Sequence, residues 1–272
     1  MSSSKPVDLS LPFEAGELAL LQVCCQGDTF SLLQYLEFGA LPAPRCLDHR
    51  LLAHLEELLD WYPELDGSNL LSLGLIFAAA HHQFDLPVLL LQKAPEFGRA
   101  VDPSFCADQT LLEALYCGNF PLVSFLIEEL PRLGYRPVCL QAGCRRYLPV
   151  LAEQGNLILL RYLIEAAPLF GQQPLGSEQL DHQLLFSAVC RGRQEVLAYL
   201  VEEMPFHNGL LLDLPDSLRG VAALFGPASR DCLAWYDAQA VRREQLQLLK
   251  NMGVQHQCWR ELCEKPPEYR KI

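Results

Sequence analysis

The residues able to do covalent or metal chemistry are eleven cysteines and seven histidines, and their spacing decides what they can serve. Cys139 with Cys144, and Cys258 with Cys263, each enclose four residues, which suits a structural zinc site less well than the two-residue spacing. Reduced core or surface thiols are the expectation for both pairs. His81-His82 stands where a helix is expected to end, and a capping or solvent-facing role suits it better than that of a base. No spacing favours any one cysteine-histidine pair as nucleophile and base. A Walker loop, a nucleophile elbow, Gly-x-Gly-x-x-Gly and His-Glu-x-x-His are all missing. The sequence therefore assigns no catalytic or metal-ligating residue and no cofactor. An enzyme with a Cys/His site on a helical framework stands as the alternative.

The elements that would position any site show in an internal repeat. Segments 111–131, 148–168 and 185–205 superpose without a gap around Gly118, Gly155 and Gly192, at a spacing of 37 residues. Seven residues before each glycine stands Leu111, Leu148 or Leu185, and three and four before it stand Ala114-Leu115, Leu151-Ala152 or Ala188-Val189. After it come Leu122-Val123, Leu159-Leu160 or Val196-Leu197, then Phe125-Leu126-Ile127, Tyr162-Leu163-Ile164 or Tyr199-Leu200-Val201. Apolar spacings of three and four on both sides of a glycine predict two amphipathic helices with a break between them. A single hairpin cannot bury both stripes, so neighbours must stack.

Weaker copies extend the register. Leu75, Ala78 and Ala79 precede His82 in the glycine position, with Leu89-Leu90-Leu91 following; Leu20, Cys24, Gly27, Leu32 and Leu36 give a further copy. Downstream, Val221, Leu224, Ala228, Cys232-Leu233 and Trp235-Tyr236 repeat the pattern 36 residues after Gly192. Between the first two copies the spacing is 55 residues, and the surplus near 47–62 holds Leu51, Leu52, Leu55, Leu58 and Leu59 as one helical stripe. The expected organisation is a flexible segment 1–12, a repeat run over 13–240 with an inserted helix near 47–62, a helical cap over 241–264 and a flexible tail over 265–272.

This pattern of leucine, small pair, glycine and a Val/Leu-rich second helix resembles the ankyrin-repeat family over residues 18–240. Ala114-Leu115-Tyr116-Cys117-Gly118-Asn119, and Gly27-Asp28 through Glu37-Phe38-Gly39-Ala40, carry the likeness best. Two features depart from it. The family's Thr-Pro-Leu-His opening survives only as Gln109-Thr110-Leu111, and the terminal glycine gives way to apolar-Pro endings at Ala94-Pro95, Leu130-Pro131, Ala167-Pro168 and Met204-Pro205. Periods of 36 or 37 exceed the family's 33 or so, so the connectors are long and either β-hairpin fingers or irregular loops. The expected fold is all-α: an ankyrin-like solenoid of about six degenerate helix-pair repeats, with a generic helical-hairpin solenoid as the competing architecture.

The resemblance implies that first helices and connectors line a concave face where partners bind. Positions just before each turn vary: Ala80-His81, Tyr116-Cys117, Glu153-Gln154 and Cys190-Arg191. The connectors add Arg99, Tyr135, Arg136, Arg145, Arg146, Phe170, His182, Phe206 and His207, rich in the arginines and aromatics that dominate binding hot spots. In the tail, Pro266-Pro267-Glu268-Tyr269 matches the Pro-Pro-x-Tyr ligand of WW domains.

Charge bounds the partner class. A net charge of −12 argues against nucleic acid. Residues 240–272 carry +3 and the rest −15, an acidic body with a mildly basic end. There is no run of eighteen uncharged apolar residues and 1–10 is polar, so neither membrane insertion nor export by the general pathway is expected. The function so read is a monomeric, cytoplasmic protein-binding scaffold or adaptor. A secreted effector acting in a host cytosol is a second form of that expectation.

Overall fold

The computed structural model describes residues 12–39, 41, 47–141, 144–176, 178–204 and 212–251, and every regular element among them is a helix. The connectors expected as fingers or loops are irregular wherever they are described. The chain divides into two compact units, Met1–Val138 and Cys139–Ile272.

The first unit holds α1 (Ala15–Gln26), α2 (Thr29–Phe38), α3 (His49–Trp61), α4 (Leu70–Ala80), α5 (Asp85–Lys93), α6 (Phe105–Tyr116) and α7 (Phe120–Glu128). Hairpins α1/α2, α4/α5 and α6/α7 pack in series: α1 on α4 and α4 on α6 in one layer, α2 on α5 and α5 on α7 in the other. The second unit holds α8 (Cys144–Gln154), α9 (Leu157–Arg161), α10 (His182–Cys190), α11 (Gln194–Ala198), α12 (Asp216–Ala222), α13 (Pro227–Ala238) and α14 (Ala240–Asn251). There α8 packs on α10, and α10 on both α12 and α13.

The repeat residues form the core. Leu111, Ala114, Leu115, Leu122, Val123 and Leu126 are fully buried, as are Leu148, Leu151, Ala152, Leu159 and Leu160 and their equivalents around Gly192. Each leucine so placed contributes about 1.5–3 kcal/mol before ordering entropy is subtracted. The turns share one hydrogen-bond pattern, in which the N–H of the residue after the turn position reaches the carbonyl four residues before it. Asn119 N donates to Ala114 O (2.8 Å), Asn156 N to Leu151 O (2.9 Å), Arg193 N to Ala188 O (2.8 Å) and Gln83 N to Ala78 O (2.9 Å). This is the Schellman end of a helix, and it places the turn residue in the left-handed region. Gly118 accordingly has φ 68°, and His82 adopts φ 60° in the same place despite its Cβ. Asp28, Asn119 and Asn156, one residue on, cap the second helices by accepting from Ser31 N, Leu122 N and Leu159 N.

Two sequence expectations are corrected. The apolar-Pro endings do not stop the chain. After Pro95, Pro131 and Pro168 it runs on through one 3-10 turn and ends three residues later, at Gly98, Gly134 and Gly171, all at positive φ. Proline lacks only its own N–H and fits the first turn of a new helical segment, so it marks the change of helix type and glycine marks the stop. In the last hairpin, Ala228 is not the turn and Val221 and Leu224 do not line the core. They are 43% and 83% exposed, because Gly226 (φ 125°) breaks the chain and Pro227 begins α13. Ala222, Ser229, Cys232 and Tyr236 are the buried residues there. The inserted helix expected near 47–62 is α3, and α14 lies in the segment read as a cap, the rest of which falls outside the described residues.

Candidate functional site

Helix ends leave carbonyls unpaired, and the Schellman turn serves only some of them. The carbonyl two residues before the turn position is left over, and in three hairpins the next hairpin supplies its donor. Gln83 Nε2 donates to Cys25 O at 3.2 Å, and Cys117 Sγ to Ala80 O at 3.3 Å, within the first unit. Arg193 Nε donates to Glu153 O at 2.8 Å within the second. These donors flank the turn residue, at one position before or one after it. Where the residue after the turn is Asp or Asn it caps its own helix, and Asn119 also reaches the neighbour, its Nδ2 donating to Gln83 O at 3.5 Å; where it is Gln or Arg it reaches the neighbour.

Several residues expected to be free for a partner are therefore engaged between hairpins. Arg191 forms an ion pair with Glu153, both side chains about half exposed. Such a pair contributes little to stability, but it orders the two side chains side by side. Gln154 is exposed beside them, and Tyr116 is partly buried in the first unit. His81 is partly buried, and burial first, then the nearby His54, lowers its pKa from 6.5. Among the connector residues, Arg99 lies over the Tyr35 ring at 5.8 Å and the Tyr135 hydroxyl donates to Leu91 O at 2.9 Å, both holding the second-helix layer. Arg136, Arg146, Phe170 and His182 are exposed. Phe206, His207, Pro266, Pro267 and Tyr269 lie outside the described residues.

The first unit carries a feature that the turn positions alone do not announce. Leu70 through Ala79 of α4 are all buried. Stacking neighbours α1 and α6 and hairpin partner α5 pack on it, and α3 reaches it through His54. Leu51, His54, Leu55 and Leu58 form its inward stripe, the leucines 0–3% exposed. The His54 ring meets Phe77 of α4 edge-on with centroids 4.8 Å apart, its Nε2 lies 3.7 Å from Glu113 Oε1 of α6, and α3 also touches α1. Beyond α3, the Tyr62 hydroxyl donates to Cys106 O at 3.2 Å. The signal was in the sequence: Leu70-Leu-Ser-Leu-Gly-Leu-Ile-Phe-Ala-Ala-Ala is apolar all round, and such a helix needs cover on every side.

Six of the described thiols are arranged against nucleophilic use. Burial raises Cys25 to about 12 and Cys106 to about 11, and it also pushes up Cys24, Cys117, Cys190 and Cys232. A reactive cysteine needs the opposite shift. Among the described residues no group of three His, Cys, Asp or Glu side chains is placed to hold a metal ion. No helix among them is long and apolar enough to cross a membrane.

No protein-family model, curated protein or solved structure matches this chain.

Proposed function

We propose that this chain is a protein-binding scaffold that presents the turn ends of its first helices to a partner, in the manner of ankyrin-like stacks with their concave faces. One observation carries the reading. The same turn geometry recurs hairpin after hairpin, held by bonds to backbone, while the exposed side chain just before it changes from Gln154 to Arg191. A constant backbone with variable exposed residues at one place is the economy of a recognition surface, because specificity is altered there without disturbing the core. Raised thiol pKa values favour this reading over a Cys/His enzyme.

The partner is a protein, in keeping with the acidic body, and the Pro266-Pro267-Glu268-Tyr269 segment supplies a second docking element for a WW domain. Together these make the chain an adaptor in a reducing cytoplasm, its own or that of a host. Affinity capture tests the surface: Gln154→Ala combined with Arg191→Ala should lose the captured protein while the circular dichroism spectrum is unchanged. Undiminished capture by the folded variant would refute it. Tyr269→Ala should separately abolish recovery by WW domains and leave the first capture intact.

A further inference from the structure

The three hairpins of the first unit end alike, on a large apolar residue followed by a glycine in the left-handed region: Phe38-Gly39, Phe97-Gly98 and Leu133-Gly134, with φ 77°, 66° and 84° at the glycines. The apolar residue takes no part in the stop. Backbone closes the turn, Arg99 N donating to Ala94 O at 2.9 Å and Gly134 N to Pro131 O at 3.1 Å, while Ala94 and Leu130 fill the core. Phe38, Phe97 and Leu133 are left 72%, 42% and 43% exposed, and Phe170 before Gly171 repeats the arrangement in the second unit. A scattered exposed apolar residue needs no explanation. One that returns at the same step of successive hairpins, where a polar residue would serve the turn equally well, does.

The ends in the first unit are fastened into a row. The residue after each later glycine reaches back to the hairpin before it. Arg99 lies over the Tyr35 ring, its Nη2 where a Cβ on Gly39 would meet it at 2.7 Å, and the Tyr135 hydroxyl donates to Leu91 O at 2.9 Å. The turn that carries Phe97 also packs against α2. Beside Phe97 and Leu133 stand two ion pairs, Lys93 with Glu96 at 2.9 Å and Arg132 with Glu129 at 2.5 Å, so each turn presents an apolar side chain next to balanced charge.

We propose that the row of Phe38, Phe97 and Leu133 docks an uncharged, proline-rich segment of a partner protein in the polyproline II conformation. Charge and spacing select this occupant. Balanced pairs favour a ligand without net charge. α5 and α7 pack together, and packed helices lie about 8–10 Å apart, which sets the step from one turn to the next. A polyproline II strand returns to the same edge every third residue, after about 9 Å, so consecutive turns of it meet consecutive hairpins. A helix laid along the row would make that step only once in two of its own turns, at about 5.4 Å each. Apolar and aromatic ledges are the usual seat of such strands, which lose little entropy on binding because they are already extended. The row lies at the far ends of the second helices from the turns of the scaffold reading, so either reading can fail alone.

A fluorescein-labelled Leu-Pro-Pro repeat peptide, titrated by anisotropy into the full chain, tests this. The intact chain should bind it saturably, and Phe97→Ser/Leu133→Ser should bind at least tenfold more weakly with unchanged circular dichroism. If the double variant loses helix, Phe97→Ser alone decides, with an expected weakening of at least threefold. Absence of saturable binding, equal binding by the folded variant, or equal binding of a peptide with the same composition but its leucines grouped together would overturn the proposal. So would tighter binding of a leucine-striped helical peptide at the same row, or a dimer in sedimentation velocity that the variant abolishes, since each gives the row to a different occupant.

Discussion

The Arg193 guanidinium donates through Nε to the main-chain oxygen of Glu153 at 2.8 Å, joining the turn of one hairpin to the end of the helix before it. The bond stands on backbone at its receiving end, so it survives any change in the Glu153 side chain. Arg191 meets that side chain separately. Two arginines on either side of Gly192 thus divide the work, one locking the stack and one ordering an exposed carboxylate.

Removing the lock should cost stability without altering the fold. Arg193→Ala is expected to lower the urea midpoint by an amount equivalent to about 1 kcal/mol, the net worth of a partly exposed charge-assisted bond. Gln83→Ala should do the same in the first unit by losing its bond to Cys25 O. Unchanged midpoints for both would mean that the side chains merely rest on those carbonyls.

His82 pays for a left-handed conformation that glycine adopts freely, at φ 60°. His82→Gly should stabilise the chain by about 0.5–1 kcal/mol, and Gly118→Ala, its mirror experiment, should destabilise by about 1–2 kcal/mol. Thermal unfolding of the two variants beside the parent gives both signs at once.

Gly74 tests how closely α1 and α4 approach. A Cβ there would sit 2.9 Å from Cys24 Sγ, in the middle of a helix buried on all sides. Gly74→Ala gains helix propensity but must push a buried sulfur aside, and a net loss of about 1–2 kcal/mol is expected. A stabilised variant would show that the two helices have room to separate.

Titration gives a prediction at each end of the pH scale. His81 has a folded pKa below 6.5 because burial disfavours its charge, so the unfolded chain takes up its proton first and stability falls as pH drops below about 6.5. His81→Gln should flatten that acid-side slope. Cys25 and Cys106, raised to about 12 and about 11 from 9.0, keep their contribution below pH 9 and lose it as pH rises towards those values. Cys25→Ala and Cys106→Ala should shallow the alkaline limb. Denaturant melts between pH 5 and 10.5 measure both slopes.

The hairpins were legible in the sequence because their signal is local. A leucine, a small pair and a glycine fix a helix end whatever surrounds it, and the buried set around Gly118, Gly155 and Gly192 follows that spacing residue for residue. The hairpin ends differ from the expectation because proline does not stop the chain. The glycines three residues later, Gly98, Gly134 and Gly171, carried the signal instead. The last hairpin failed where Gly226-Pro227 outranked apolar spacing. The donors at Gln83, Cys117 and Arg193 were hidden for another reason: they bond to main-chain oxygens, which leave no trace in side-chain patterning. The place of α3 could be anticipated only from α4, whose apolar circumference demands a fourth neighbour without saying which.

Successive hairpins meeting turn to turn is the claim on which the scaffold reading depends, and Glu153 with Arg191 offers the most direct reading of it. In an Arg191→Lys variant, a zero-length carbodiimide should join positions 153 and 191 as the leading internal crosslink, seen by mass spectrometry of the digested monomer. A digest in which position 191 links elsewhere, or position 153 links only to its own hairpin, would contradict the stacking of α8/α9 on α10/α11.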